Sequence, residues 1–232
     1  MIAGVDGCRE GWIVVTAPSW PPEEAVGISV QPDFAGVLES TKDCSCVVVD
    51  VPIGLPAEDA QRECDALAKT QLAKRGSSVF PVPPRRALEA DSYERAKMIC
   101  SDLKAKKPSR QLWAVRDKVL DVDSQMTPEL QERVREFHPE LAWKRLAGFT
   151  LAAKTRAAGV VQRFGLLREA GATGAFLAGG SPHLDSADVK IDDYLDALVG
   201  LRVAHEISTG GGRRLPENPP RDEKGLRMEM WF

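Results

Sequence analysis

Short apolar runs separated by turn residues open the chain. Ile2-Ala3-Gly4-Val5-Asp6-Gly7 is an apolar run that closes on a carboxylate and a glycine. Cys8-Arg9-Glu10-Gly11 reads as a turn, and Trp12-Ile13-Val14-Val15-Thr16-Ala17 is apolar and β-branched again. Two such runs joined by a short glycine-bearing loop predict a β-hairpin. A proline-rich loop from Pro18 to Glu24 follows. Val26-Gly27-Ile28-Ser29-Val30 then alternates as a strand does, and Pro32 to Leu38 starts a short helix. Cys46-Val47-Val48-Val49-Asp50-Val51 is a continuous β-branched run suited to a strand buried on both faces. Strand, helix, strand implies a right-handed crossover and a parallel pairing. The opening part of the chain therefore predicts three antiparallel strands, a helix and a parallel strand.

From there to Met126 the period becomes helical. Asp59 to Lys74, Ser92 to Lys106 and Ser109 to Asp121 combine helical apolar spacing with charged faces. Between the first two lies a rigid proline-rich loop, Gly76 to Arg86, which ends in paired arginines. This stretch, at about 58–126, reads as a helical insertion in a single domain spanning 1–232. Arg133 to His138 returns to strand alternation, with Val134, Glu136 and His138 on one face. Pro139 suits the first position of a helix and Glu140 its first turn. Lys154 to Ala170 predicts a helix, Gly171 to Ser181 a small-residue linker, and Ile191 to about Ile207 a long helix. After a charged, Gly/Pro-rich tail from Gly210, Leu226 to Phe232 suits an edge strand. No internal repeat is visible.

Composition narrows the class. The chain has 232 residues, 43% hydrophobic and 28% charged, which is ordinary globular composition. A secretory leader and a membrane-length apolar run are both missing, so a soluble, cytoplasmic protein without a membrane partner is expected. The five cysteines lack any C-x-x-C spacing, and Cys44-Ser45-Cys46 is too close for zinc-type ligation, so free thiols are expected. Net charge is -3, but residues 62–118 hold 14 Lys and Arg against 7 Asp and Glu. A basic middle beside an acidic remainder suits a polyanion-facing lobe next to a carboxylate site, although solvated charged helices give the same balance.

Asp6 by itself is explained by a turn cap. Asp50 repeats the pattern, a carboxylate at the end of an apolar strand, where burial demands a partner. Asp193 and Asp196 are i and i+3 on one helix face, and Asp196 falls among Leu195, Ala197, Leu198 and Val199. Asp192 reads as the helix N-cap. Together with Glu136, these acids are the set that a hard, oxygen-ligated Mg2+ or Mn2+ requires, and two such ions can flank an in-line phosphoryl displacement.

Several of these motifs, in order, resemble the predicted RNase H-like nucleases (domain of unknown function 429). They are Gly4-Val5-Asp6-Gly7-Cys8 with Gly11-Trp12, Asp50 to Leu55, Arg62-Glu63-Cys64-Asp65, and Ser78 to Pro81 with the arginines. Glu136 to Glu140, Asp192 to Ala197 and Gly225 to Trp231 complete the set. The resemblance implies an α/β, RNase H-like fold: a mixed five-stranded sheet, antiparallel in its first three strands and flanked by helices. It implies metal-binding roles for Asp6, for Asp50 near the end of the fourth strand, and for Asp193 and Asp196 in an Asp-x-x-Asp-Ala pattern on the final helix. Glu136 would be a further catalytic ligand or would orient water. The expected activity is divalent-metal-dependent phosphodiester hydrolysis on nucleic acid. A homodimer is compatible with it. Two features depart from the resemblance: the charged Cys8-Arg9-Glu10-Gly11 loop, and the helical insertion, which is not a standard element of the Holliday-junction resolvases whose final helix has that Asp-x-x-Asp-Ala pattern.

Arg85 and Arg86 suit bidentate phosphate contacts, and Lys154 suits a phosphate contact from a helix start. His138 before a proline reads as structural, His183 and His205 lack a visible partner, and Cys64 reads as a buried thiol. The rival readings are a binding module without nuclease activity and an actin-like phosphotransferase. The latter needs two such domains and a second phosphate loop, for which the chain is short.

Overall fold

The computed structural model describes residues 1–22, 27–58, 60–172 and 189–232. The predicted hairpin forms: β1 (Ile2–Cys8) and β2 (Gly11–Ala17) pair antiparallel, from Ile2 opposite Ala17 to Cys8 opposite Gly11. Gly11 has φ +140°, and a Cβ there would lie 2.0 Å from the Gln31 carbonyl oxygen, so this tight reversal requires glycine. β3 (Gly27–Gln31) adds antiparallel to β2. α1 (Phe34–Ser40) starts at Asp33, whose carboxylate accepts from the Gly36 N–H at 2.8 Å, and Phe34 meets Trp12 edge to face. β4 (Cys46–Val49) lies parallel to β1 and is buried along its whole length, as a β-branched run predicts.

The helical stretch contains α2 (Glu63–Leu72), α3 (Arg85–Leu88), α4 (Tyr93–Asp102), α5 (Arg110–Ala114) and α6 (Arg116–Gln125). Ser92 and Ser109 cap α4 and α5 through their hydroxyls. The helix expected over 109–121 is two helices, broken at Val115 (φ -109°, ψ 8°). β5 (Val134–Glu136) then pairs parallel with β4. It is followed by α7 (Pro139–Ala147), α8 (Ala157–Glu169) and α9 (Ile191–Ser208). The sheet order is β3-β2-β1-β4-β5, an α/β arrangement whose first three strands are antiparallel and whose last two run parallel to β1. Trp231 bridges Phe137 in parallel, so the expected closing edge is present but shorter than 226–232.

The chain divides into two compact units. The first comprises 1–50, 133–213 and 231–232 and contains the sheet; the second comprises 51–132 and 214–230. In the second, Asp222 stitches distant segments together. It accepts from the backbone N–H groups of Leu55 (3.0 Å), Lys224 (2.9 Å) and Leu226 (2.9 Å) and from Arg85 (3.0 Å). Among the described residues no helix is long and apolar enough to cross a membrane. All five cysteines are free and buried. The start of the strand expected at 26, most of the linker expected over 171–181, and His183 lie outside the described residues.

Candidate functional site

In the first unit, β1 and α9 meet backbone to backbone. A Cβ on Gly4 would lie 2.1 Å from the Ala197 carbonyl oxygen and 2.3 Å from the Leu201 nitrogen, and one on Gly200 would lie 3.3 Å from the Gly4 Cα. Only glycine permits that approach. Asp6 is two residues beyond Gly4 and so shares its face of the strand. Asp193 and Asp196 precede Gly200 by seven and four residues and share its face of the helix. The crossing therefore brings both acidic patterns to one place. Asp50 joins them through the parallel register: Val49 is level with Val5, and the Asp50 N–H donates to the Val5 carbonyl at 3.1 Å.

Negative charge outweighs positive in the cluster, and Asp50 and Asp193 are half-buried. Asp6 and Asp196 are almost wholly buried. Burial, then the charges of Asp50 and Asp196, push the Asp6 carboxyl well above the ordinary range. Burial, then Asp196, lift Asp50 to about 7, with Glu140 adding to the effect. Burial and then Asp192 raise Asp193. Lys190 also acts on Asp193, in the lowering direction. Lys154 is paired directly with the acids: its Nζ lies 2.6 Å from Asp196 Oδ2 and 3.7 Å from Asp192 Oδ2. Burial alone would lower this ammonium, but Asp196, Asp6 and Asp50 outweigh it and hold its pKa well above the usual lysine value. Trp143 Nε1 donates to Asp196 Oδ1 at 2.8 Å, so both oxygens of Asp196 are held. The Asp6 carboxylate accepts from the Gly7 N–H at 2.8 Å.

Four of the five expected acids thus share one electrostatic site. Glu136 does not lie with them. It is level with Val49, and Val49 with Val5, so strand alternation puts Glu136 on the sheet face opposite Gly4, Asp6 and Asp50. Phe137, the next residue, reaches the α9 face, where its ring would meet a Cβ on Gly200. Glu140 is the acid that sequence reasoning missed. It stands in the first turn of α7, influences Asp50 and is gripped by the buried Arg163 at 2.7 Å. Trp143, three residues on, also joins the site through Asp196, a partner 53 residues away that no local pattern reveals.

The basic residues are also redistributed. Lys154 precedes α8 instead of starting it and belongs to the carboxylates. Its segment is pinned to α8: Gln162 Oε1 accepts from the Ala152 N–H at 2.8 Å, and Arg163 donates to the Ala152 carbonyl at 3.0 Å. Arg85 is engaged by Asp123 through two bonds (2.9 and 3.0 Å) as well as by Asp222, which removes it from phosphate duty. Arg86 is exposed, 3.9 Å from an equally exposed Glu58. Lys190, not Asp192, is the N-cap of α9, and Asp192 and Asp193 occupy its first turn, where the helix dipole favours them. His205 Nδ1 accepts from the Trp20 N–H at 3.3 Å, a partner 185 residues away that no local pattern reveals. Cys64 is a buried thiol beside Asp65.

The donor chemistry suits a hard divalent cation: carboxylates in excess over the ammonium groups of Lys154 and Lys190. Among the described residues no three His, Cys, Asp or Glu side chains converge tightly enough to hold an ion as they stand. A metal there would need the carboxylates to close around it and Lys154 to yield part of its hold on Asp196. The same arrangement can also exchange a proton near neutrality, because Asp50 is lifted to about 7. No curated protein and no solved structure matches the chain. One family, described only as protein of unknown function (DUF429), matches residues 4–221, nearly the full length, and the chain belongs to that family.

Proposed function

We propose that the chain is a divalent-metal-dependent nuclease, an RNase H-like core that hydrolyses phosphodiester bonds in nucleic acid. The observation that carries this reading is the meeting of Asp6 and Asp50, at the ends of adjacent parallel strands, with Asp193 and Asp196 on the helix that crosses β1 through Gly4 and Gly200. The sheet order, with its antiparallel first three strands, supports the RNase H-like assignment. The basic balance of residues 62–118, including exposed Arg86, supports a polyanionic substrate.

Asp6, Asp50, Asp193 and Asp196 would hold Mg2+ or Mn2+. Such an ion, when bound, supplies an activated water and stabilises negative charge on the departing oxygen. The chain's own residues prepare the site. Trp143 and Lys154 fix the Asp196 carboxylate from both sides, and the Gly7 N–H fixes that of Asp6. Asp50, half-protonated near pH 7 without metal, must release its proton to become a ligand, so metal affinity rises with pH through neutrality. One observation favours a second reading, a binding module without nuclease activity: Lys154 already supplies a cation to Asp196.

Calorimetric titration with Mn2+ separates the two. The nuclease reading expects wild-type protein to bind Mn2+, more tightly at pH 8 than at pH 6, and Asp6→Asn to lose that binding while keeping its circular dichroism. If the wild type does not bind, alone or with an oligonucleotide, the nuclease reading fails and the binding module stands.

A further inference from the structure

The second unit has a cavity of its own, of about 80 Å³, lined by Arg62, Asp65, Lys69, Val82 and Lys106 among others. Arg62, Asp65 and Lys69 are i, i+3 and i+7, so one face of α2 and the residue before it form a wall. Within that wall Arg62 and Asp65 neutralise each other. Arg62 is fully buried, 3.3 Å from Asp65 Oδ1, and donates to the Ile53 carbonyl at 3.4 Å. Asp65 also accepts from the Val82 N–H at 3.2 Å. The charge left on the cavity is that of Lys69 and Lys106. Neither ammonium has a hydrogen-bond or ion-pair partner among the described residues. Both line the same cavity. Burial, then Lys106, lower the pKa of Lys69, with Asp65 opposing them.

Lys69, half-buried and partly offset by Asp65, and the exposed Lys106 leave the cavity with an excess of positive charge. The space exceeds what one water needs. A tetrahedral dianion satisfies both the charge and the approach of donors from two different segments, whereas a carboxylate or a phosphodiester brings only one negative charge. A terminal phosphate carries about -1.5 to -2 at pH 7. We infer that this cavity in the second unit binds the phosphate group of a phosphomonoester, held between Lys69 and Lys106. The inference is independent of the carboxylate cluster.

The test is calorimetric titration of the full chain with inorganic phosphate at constant ionic strength. Chelator is present throughout, so that divalent metal plays no part. Wild-type protein is expected to bind phosphate saturably at one site. Lys69→Gln and Lys106→Gln are each expected to weaken that binding by about tenfold or more with unchanged thermal midpoints, in keeping with loss of a charge-assisted contact. Lys69→Arg, which keeps the charge, is expected to retain it. Absence of saturable binding in the millimolar range, or wild-type binding in both glutamine variants, overturns the proposal. A second arm identifies the source of the phosphate. A 5′-phosphorylated oligonucleotide that outbinds both free phosphate and its 5′-hydroxyl counterpart, with that preference lost in Lys69→Gln, marks a nucleic-acid end. Equal binding of free phosphate and the phosphorylated oligonucleotide marks a small phosphomonoester, and both results uphold the site.

Discussion

Asp50 carries a pH signature that falls near neutrality. Burial and Asp196 raise it from an ordinary carboxyl value to about 7. Below about pH 4 the group is protonated in both folded and unfolded chains. Between about 4 and 7 the native state keeps a proton that the unfolded chain has released, so stability falls as pH rises through this window. Above it the full penalty is present. Lys154, raised from its usual value, stays charged throughout and contributes no change across the window. In metal-free buffer, Asp50→Asn is therefore expected to be more stable relative to wild type at pH 8 than at pH 5. Urea midpoints at the two pH values measure this, and an identical difference at both would refute it. The acids at 6, 50 and 196 were legible in the sequence because each ends or interrupts an apolar run, where an unpartnered carboxylate is costly, and Asp193 through its i, i+3 spacing from Asp196. Arg85 was misread for a related reason. Paired arginines after a proline run suit phosphate locally, but the carboxylates that claim Arg85 are 38 and 137 residues away.

At the scale of elements, the site depends on how closely α9 lies on β1. Gly4→Ala would drive a methyl group into the helix backbone at Ala197 and Leu201. Overpacking of this kind costs about 1–3 kcal/mol and more where backbone must move, so a loss of about 3 kcal/mol or more is expected by urea denaturation. Wild-type stability in that variant would show that the crossing is not as close as described. The elements themselves were largely readable. Alternation predicted the hairpin, a β-branched run predicted β4, and helical spacing predicted α9. Boundaries were less readable. Lys154 to Arg156 carry no helix-breaking residue, yet α8 begins at Ala157, because Ala153 and Ala152 fold back against Gly159 and Gln162.

For the whole molecule, the division into two units joins residues that are remote in sequence, and Asp222 shows the consequence. Its side chain is fully buried and serves three backbone N–H groups and Arg85. Asp222→Ala leaves those donors and a half-buried guanidinium short of an acceptor. Breaking a buried charged pair costs about 3–5 kcal/mol, so a loss in that range is expected in urea denaturation. An effect below about 0.5 kcal/mol, the range of an ordinary surface substitution, would contradict the described network. The sequence by itself determined the alternating and helical periods, the order of the elements, and the carboxylates that interrupt apolar runs, because these are properties of neighbouring residues. The tertiary structure alone decided that Glu136 faces away from Asp6, that Glu140 and Lys154 stand with the acids, and that Arg85 is consumed by Asp123 and Asp222. Each of those outcomes turns on strand register or on pairing between distant segments. A strand's own alternation defines two faces without saying which of them meets its neighbour's acid, and a charge finds its partner only once the chain has closed around it.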